Sequence, residues 1–146
     1  MTRISITRPI DAPAARVWAV MSDLESHVVW MRDARSIDFL TDQTEGVGTV
    51  MDVATRIGPF RSRDVIEVVG WDDGRSIEIV HRGLVTGRGV LALAAGSDGT
   101  TLVTWGEHLF FPWWLGGAFT GLAARPVLTA VWRANLRRLE ALVRTL

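Results

Sequence analysis

The chain predicts an α+β fold: a curved antiparallel sheet of about seven strands wrapped around a long C-terminal helix, with one or two short helices after the first strand. Three observations carry this expectation. An alternating apolar segment at the start is followed by a helical pattern. Six strand-like segments come next, separated by EGVG, GPF, WDDGR and GSDGT. The chain then ends in an arginine-studded amphipathic helix. Such a helix needs a sheet to lie against, and a curved sheet leaves a pocket between the two.

Each element has a local reason. Ile4, Ile6 and Ile10 alternate around Pro9, which reads as a strand. Asp11 is the expected N-cap of the first helix, with Pro13 in its first turn. Val17, Val20, Met21 and Leu24 recur at helical spacing, giving an amphipathic helix over about 13–23. Residues 27–31 suit a second short helical turn. From Ser36 the period changes to that of strands, over roughly 36–42, 48–57, 60–71, 76–82, 87–95 and 101–111. Their short Gly- and Asp-containing connections imply an antiparallel meander. Pro126 is the expected start of the final helix, because proline suits a first turn and breaks an interior. Leu128, Trp132, Leu136, Leu139 and Val143 form its apolar stripe. From residue 126 to 146 it would run about 30 Å at about 1.5 Å per residue.

At 146 residues the chain fits one domain, 1–146. Hydrophobic residues make up 48% of it and formal net charge is zero, which gives no footprint for nucleic acid. All sixteen basic residues are arginine, so Schiff-base chemistry is absent. Without tyrosine there is no phenolic donor, and without cysteine no thiol catalysis, disulfide or thiolate metal site. The three histidines lack metal-ligand spacing, so no metal and no cofactor are implied. GVG, GRG and LGGAFTG do not sit in a βαβ phosphate loop, and no GxSxG elbow occurs. The first residues lack the apolar run of a signal peptide, and Pro112, Gly116, Gly117 and Gly121 interrupt the best membrane-span candidate. A cytoplasmic protein is expected.

The order of elements, together with IDAPAARVWAVMSDLESHVVWM, GSDGTTLVTWGEHL and the terminal helix, resembles the helix-grip fold of the SRPBCC superfamily. That superfamily includes START domains, plant pollen-allergen-type proteins and polyketide cyclase/dehydrase-like proteins. The resemblance spans essentially the whole chain. It implies a cavity between sheet and terminal helix that holds lipids, sterols, polyketides or other apolar molecules.

Strand parity sorts the polar residues. Val103, Trp105, Glu107 and Leu109 share one face of their strand, and the resemblance makes that the cavity side, with His108 outside. Ile77, Ile79 and His81 share a face, which turns His81 inward as well. Two strands apart, His81 and Glu107 are expected about 10 Å from one another, as general acid and base on opposite sides of a ligand or as polar anchors. A buried Glu107 has its charged form disfavoured unless an arginine such as Arg56 or Arg88 reaches it; Arg56 itself is expected to face solvent. Trp105 and Trp132 should face one another across the cavity, with Ile79, Leu91 and Leu128 as further ligand contacts. Trp18 belongs to the core. Trp71 is expected as a rim or packing residue, and Trp30, Trp113 and Trp114 in connecting loops that frame the entrance or seal the cavity end.

The expected function is binding of a hydrophobic small molecule, such as a lipid, quinone or polyketide, as carrier or sensor. One alternative is an aromatase/cyclase-like enzyme using Glu107 and His81. Another is lipid transfer at a membrane surface, with residues 109–122 as the docking patch. A Phe110–Trp114 patch suits a homodimer as well as a lid on a monomer.

Overall fold

Thr2, Ile4, Ile6 and Ile10 are buried, with exposed residues at positions 3, 5, 7 and 9, and this alternation forms β1 (Thr2–Ile10). The computed structural model describes residues 1–146. Two short helices follow, α1 (Ala14–Met21) and α2 (His27–Trp30), joined through a 3₁₀ turn at Leu24–Ser26. Six strands come next: β2 (Ala34–Phe39), β3 (Val50–Ile57), β4 (Phe60–Asp72), β5 (Ser76–Arg82), β6 (Thr86–Ala95) and β7 (Thr101–Phe110). After a 3₁₀ turn at Trp113–Leu115, α3 (Ala118–Arg144) completes the fold. All neighbours pair antiparallel in the order β1-β7-β6-β5-β4-β3-β2. The seven strands, the short helices after β1 and the long last helix make the helix-grip architecture that the element order predicts. Register shifts at Ala34/Ser36 and Val68/Gly70 are bulges, which bend strands and increase their twist.

Three boundaries differ from expectation. Asp11 does not cap α1; Pro13 holds that position in an extended conformation without a side-chain cap. The Asp11 backbone N–H instead donates to Glu140 Oε2 at 3.1 Å, so this corner is tied to α3. Second, β2 spans Ala34–Phe39 rather than 36–42, because its bulge lets Ala34 join the pairing with β3.

The third difference matters most for the cavity. α3 begins at Ala118, and Pro126 lies inside it. The chain turns at Gly116 (φ 98°) and Gly117 (φ 52°), conformations that side chains disfavour, so the glycine pair sets the start. A proline at 126 removes the N–H that would meet the carbonyl of Leu122. Leu122 is exposed, so water can take that carbonyl and the helix passes through. Its 27 residues span about 40 Å. No helix is long and apolar enough to cross a membrane.

Burial is concentrated at the C-terminal half of α3. Trp132, Leu136, Leu139 and Val143 pack with Ile4, Ile6 and Ile10 of β1, with Val17 and Met21 of α1, and with Val103 of β7. Polar contacts fasten the same half. Arg8 Nη2 donates to Glu140 Oε1 at 2.7 Å, and the buried Asn135 donates from Nδ2 to Asp33 Oδ1 at 2.7 Å. A second apolar cluster, including Leu24, Met51, Val53, Val68 and Ile77, lies under β3–β5. The cavity opens between these two cores.

Candidate functional site

The inner faces of β3–β7 and the N-terminal half of α3 enclose a cavity of about 520 Å³, and 22 of its 31 lining residues are hydrophobic. Its walls follow from strand period. Met51, Val53, Thr55 and Ile57 alternate inward from β3, Ile77, Ile79 and His81 from β5, and Trp105, Glu107 and Leu109 from β7. Ala123, Ala124, Val127, Leu128 and Trp132 of α3 roof it. The small side chains at 123 and 124 leave space beneath the roof unfilled.

One polar constellation stands in this wall. His81 Nε2 donates to Glu107 Oε2 at 2.9 Å, and Trp105 Nε1 donates to Glu107 Oε1 at 3.1 Å. Glu107 is 3% exposed, yet both carboxylate oxygens are satisfied. His81 and Glu107 sit on β5 and β7, with β6 between them. They meet because β6 presents Gly89 opposite Glu107. A Cβ at Gly89 would lie 2.5–2.7 Å from the Glu107 carboxylate atoms, so only glycine leaves room for it. The expected 10 Å gap with a ligand between the two groups is therefore corrected: the strand spacing holds, but the side chains bridge it over Gly89. Arg56 and Arg88 are exposed, and histidine and indole, not arginine, hold the carboxylate.

Burial works against a charged His81, but the hydrogen bond and charge of Glu107 and the charge of Asp64 outweigh it and raise its pKa above 6.5. Asp64 lines the cavity from β4. Its Oδ1 accepts the Leu84 N–H at 3.1 Å and its Oδ2 the Ser62 hydroxyl at 3.2 Å. His81 makes no second hydrogen bond, and Nδ1 is not among the buried unpartnered atoms. Nδ1 is thus the accessible polar atom of the pair: a donor when the ring is protonated, an acceptor when it is neutral. His27, also in the lining, behaves oppositely. Burial lowers its pKa despite the Met21 carbonyl, which Nε2 meets at 2.7 Å, and the charge of Asp23.

An aromatic column closes one side of the cavity. Trp105 and Trp132 stack at 5.1 Å and 16°, and Trp30 meets Trp105 edge-on at 6.1 Å and 77°. Stacked rings leave no space between them, so Trp105 and Trp132 form a wall of the cavity and do not face each other across it.

The comparisons with known proteins fit this geometry. Residues 1–144 match the profile of the family described as polyketide cyclase/dehydrase and lipid transport. The chain belongs to that family. It is therefore an SRPBCC-superfamily member. Among solved structures, a protein from Thermus thermophilus superposes with a TM-score of 0.84 at 18% identity, covering 98% of this chain and 97% of the other. A conserved protein from Geobacillus kaustophilus gives 0.77 at 12% identity, over 99% and 96%. Truncated norcoclaurine synthase from Thalictrum flavum gives 0.72 at 17% identity, over 97% and 92%. These likenesses are of fold. No curated protein sequence matches the chain.

Within this polyketide cyclase/dehydrase-family fold, Ile79, His81, Leu91, Trp105, Glu107, Leu109, Leu128 and Trp132 all border the cavity. Trp30 and Trp113 do not. Trp30 is completely buried in α2 and packs into the main core, because its helix docks under α3. Trp113 is 86% exposed and Trp114 60%, since the 3₁₀ turn carries them outward. Trp18 is half-buried, donates to Asp73 at 3.2 Å and meets Trp71 edge-on. Parity of β4 placed Asp64 beside Ile66 and Val68, a signal that would have identified it. Nothing local marked Met31 or Val85 as lining residues, since they reach the cavity from connections, whereas Phe111 continues the inward parity of Trp105, Glu107 and Leu109.

Proposed function

We propose that the protein binds an apolar small molecule carrying an oxygen acceptor, as a carrier or sensor, with His81 as the polar anchor. The observation that supports this best is the accessible Nδ1 of an otherwise satisfied His81–Glu107 pair in an apolar wall. An apolar cavity of this size supplies affinity by area buried, and a single placed donor fixes orientation. The charge of Glu107 keeps the ring protonated to higher pH than a free histidine, so a ligand carbonyl finds a donor. Lipid, quinone and polyketide chemistries all carry such an oxygen.

The test compares a long-chain ketone with the alkane of equal length, each displacing a fluorescent naphthalene probe. The ketone should bind about tenfold tighter, and His81→Leu should remove that preference. Equal affinities in the unsubstituted protein would contradict the anchor.

A second reading, acid/base catalysis on a polyketide-like substrate, draws on the same pair. A histidine whose proton is held by a buried carboxylate can give or take a proton at Nδ1 near neutral pH. His81→Ala and Glu107→Ala separate the readings. Ligand binding kept with turnover lost supports catalysis by the pair, and unchanged turnover excludes His81 and Glu107 as its acid and base.

A further inference from the structure

We propose that the apolar surface beside the cavity roof is a docking face for an anionic lipid bilayer. From Glu107 to Glu140 the chain contains no acidic residue between the two. That stretch presents Phe110, Trp113, Trp114, Phe119 and Leu122 to solvent, with Trp113 86% and Phe119 83% exposed. Large apolar side chains left together on a surface mark a binding face. The backbone holds them out. The glycine pair at 116 and 117 turns the chain from the 3₁₀ turn into α3, and Phe119 and Leu122 are three residues apart on one helix face.

Cationic groups border this patch. Exposed Arg125 follows Leu122 by three residues on the same face of α3. On the outer face of the sheet, Arg3, His108 and Arg88 stand in register across β1, β7 and β6, and exposed Phe110 is two residues beyond His108 on β7. Tryptophan rings suit the headgroup level of a bilayer, and guanidinium groups pair with its phosphates. A second copy of the chain fits less well. A two-fold interface would set against itself a stretch that carries exposed Arg125 and no acidic residue to pair with it. Thr120, Ala123 and Ala124, from the same turns of α3, line the cavity, so docking would bring the cavity roof to the acyl region.

Docking does not require an occupied cavity, so it stands or falls apart from the ligand reading, which the ketone titration tests in solution. The experiment is co-sedimentation of the full chain with phosphatidylcholine vesicles, with and without phosphatidylglycerol. Binding to the anionic vesicles should exceed binding to neutral ones by about tenfold and fall with added salt. The pair Trp113→Ser and Phe119→Ser should cost a further tenfold or so, and Arg125→Glu should reduce the anionic preference. All three positions are exposed, and circular dichroism checks that the fold is kept. Should the double variant fail to fold, Arg125→Glu carries the test alone. No binding to anionic vesicles, or binding unchanged in the folded variants, overturns the proposal. So does a wild-type dimer, seen by sedimentation, that the double substitution dissociates while neither protein binds vesicles.

Discussion

The two halves of α3 do different work. The C-terminal half buries Trp132, Leu136, Leu139 and Val143 against β1, α1 and β7, and Asn135 and Glu140 fasten it with hydrogen bonds. The N-terminal half buries only Gly121, contributes the roof of the cavity, and leaves Phe119, Leu122 and Val127 in solvent. One half anchors the helix. The other covers a cavity it does not fill, and Pro126 within it removes one rung of the ladder. A helix that must both hold a fold together and admit a ligand can separate the two tasks along its length, because local stability follows local burial.

Leu139→Ala probes the anchor and Leu122→Ala the roof. The first removes a completely buried side chain and should cost about 3 kcal/mol in denaturant unfolding. The second, at an exposed position, should stay within about 0.5 kcal/mol. Equal losses would erase the distinction between the halves. Asn135→Ala should cost about 2 kcal/mol by unpairing Asp33, and Asn135→Asp should not restore it, because a carboxylate would face a carboxylate. Pro126→Ala restores a backbone donor to the roof and should raise stability by about 1 kcal/mol. It should also slow exchange of a bound fluorescent probe; faster exchange would show that the proline does not loosen the roof.

The smallest effect is the pH response of the two cavity histidines, which should have opposite signs. His81 is raised above 6.5 in the folded protein, so its stabilising contribution is full below 6.5 and is lost as pH rises through the folded value. His27 is lowered below 6.5, so its contribution is present above 6.5 and is lost as pH falls through its folded value. Stability curves of His81→Gln and His27→Gln against the parent, taken from about pH 5 to 8, should differ in opposite directions across this range. Curves of the same sign would contradict the assigned environments.

Much of the fold was legible because its signals are local. Period-two alternation put Glu107 on one face with Trp105, and His81 on one face with Ile77 and Ile79. The family resemblance made the Trp105 face the cavity side, and turn residues separated the strands. What was not legible depends on register across several strands. Gly89 looks like one glycine of a GRG in a strand, and only its place between β5 and β7 makes it the space in which a carboxylate meets an imidazole. Similarly, Pro126 carries a strong start signal in sequence. The positive φ angles at Gly116 and Gly117 and the exposure of Leu122 decide otherwise. Trp30 and Trp113 read alike as loop aromatics, yet tertiary packing buries one completely and leaves the other outside.

Native mass spectrometry of the freshly purified protein, repeated after incubation with a total lipid extract, tests the cavity most directly. The account predicts a mass excess corresponding to one apolar, oxygen-bearing molecule per chain, absent when Leu91→Trp fills the space. An unchanged protein mass both before and after incubation would contradict it.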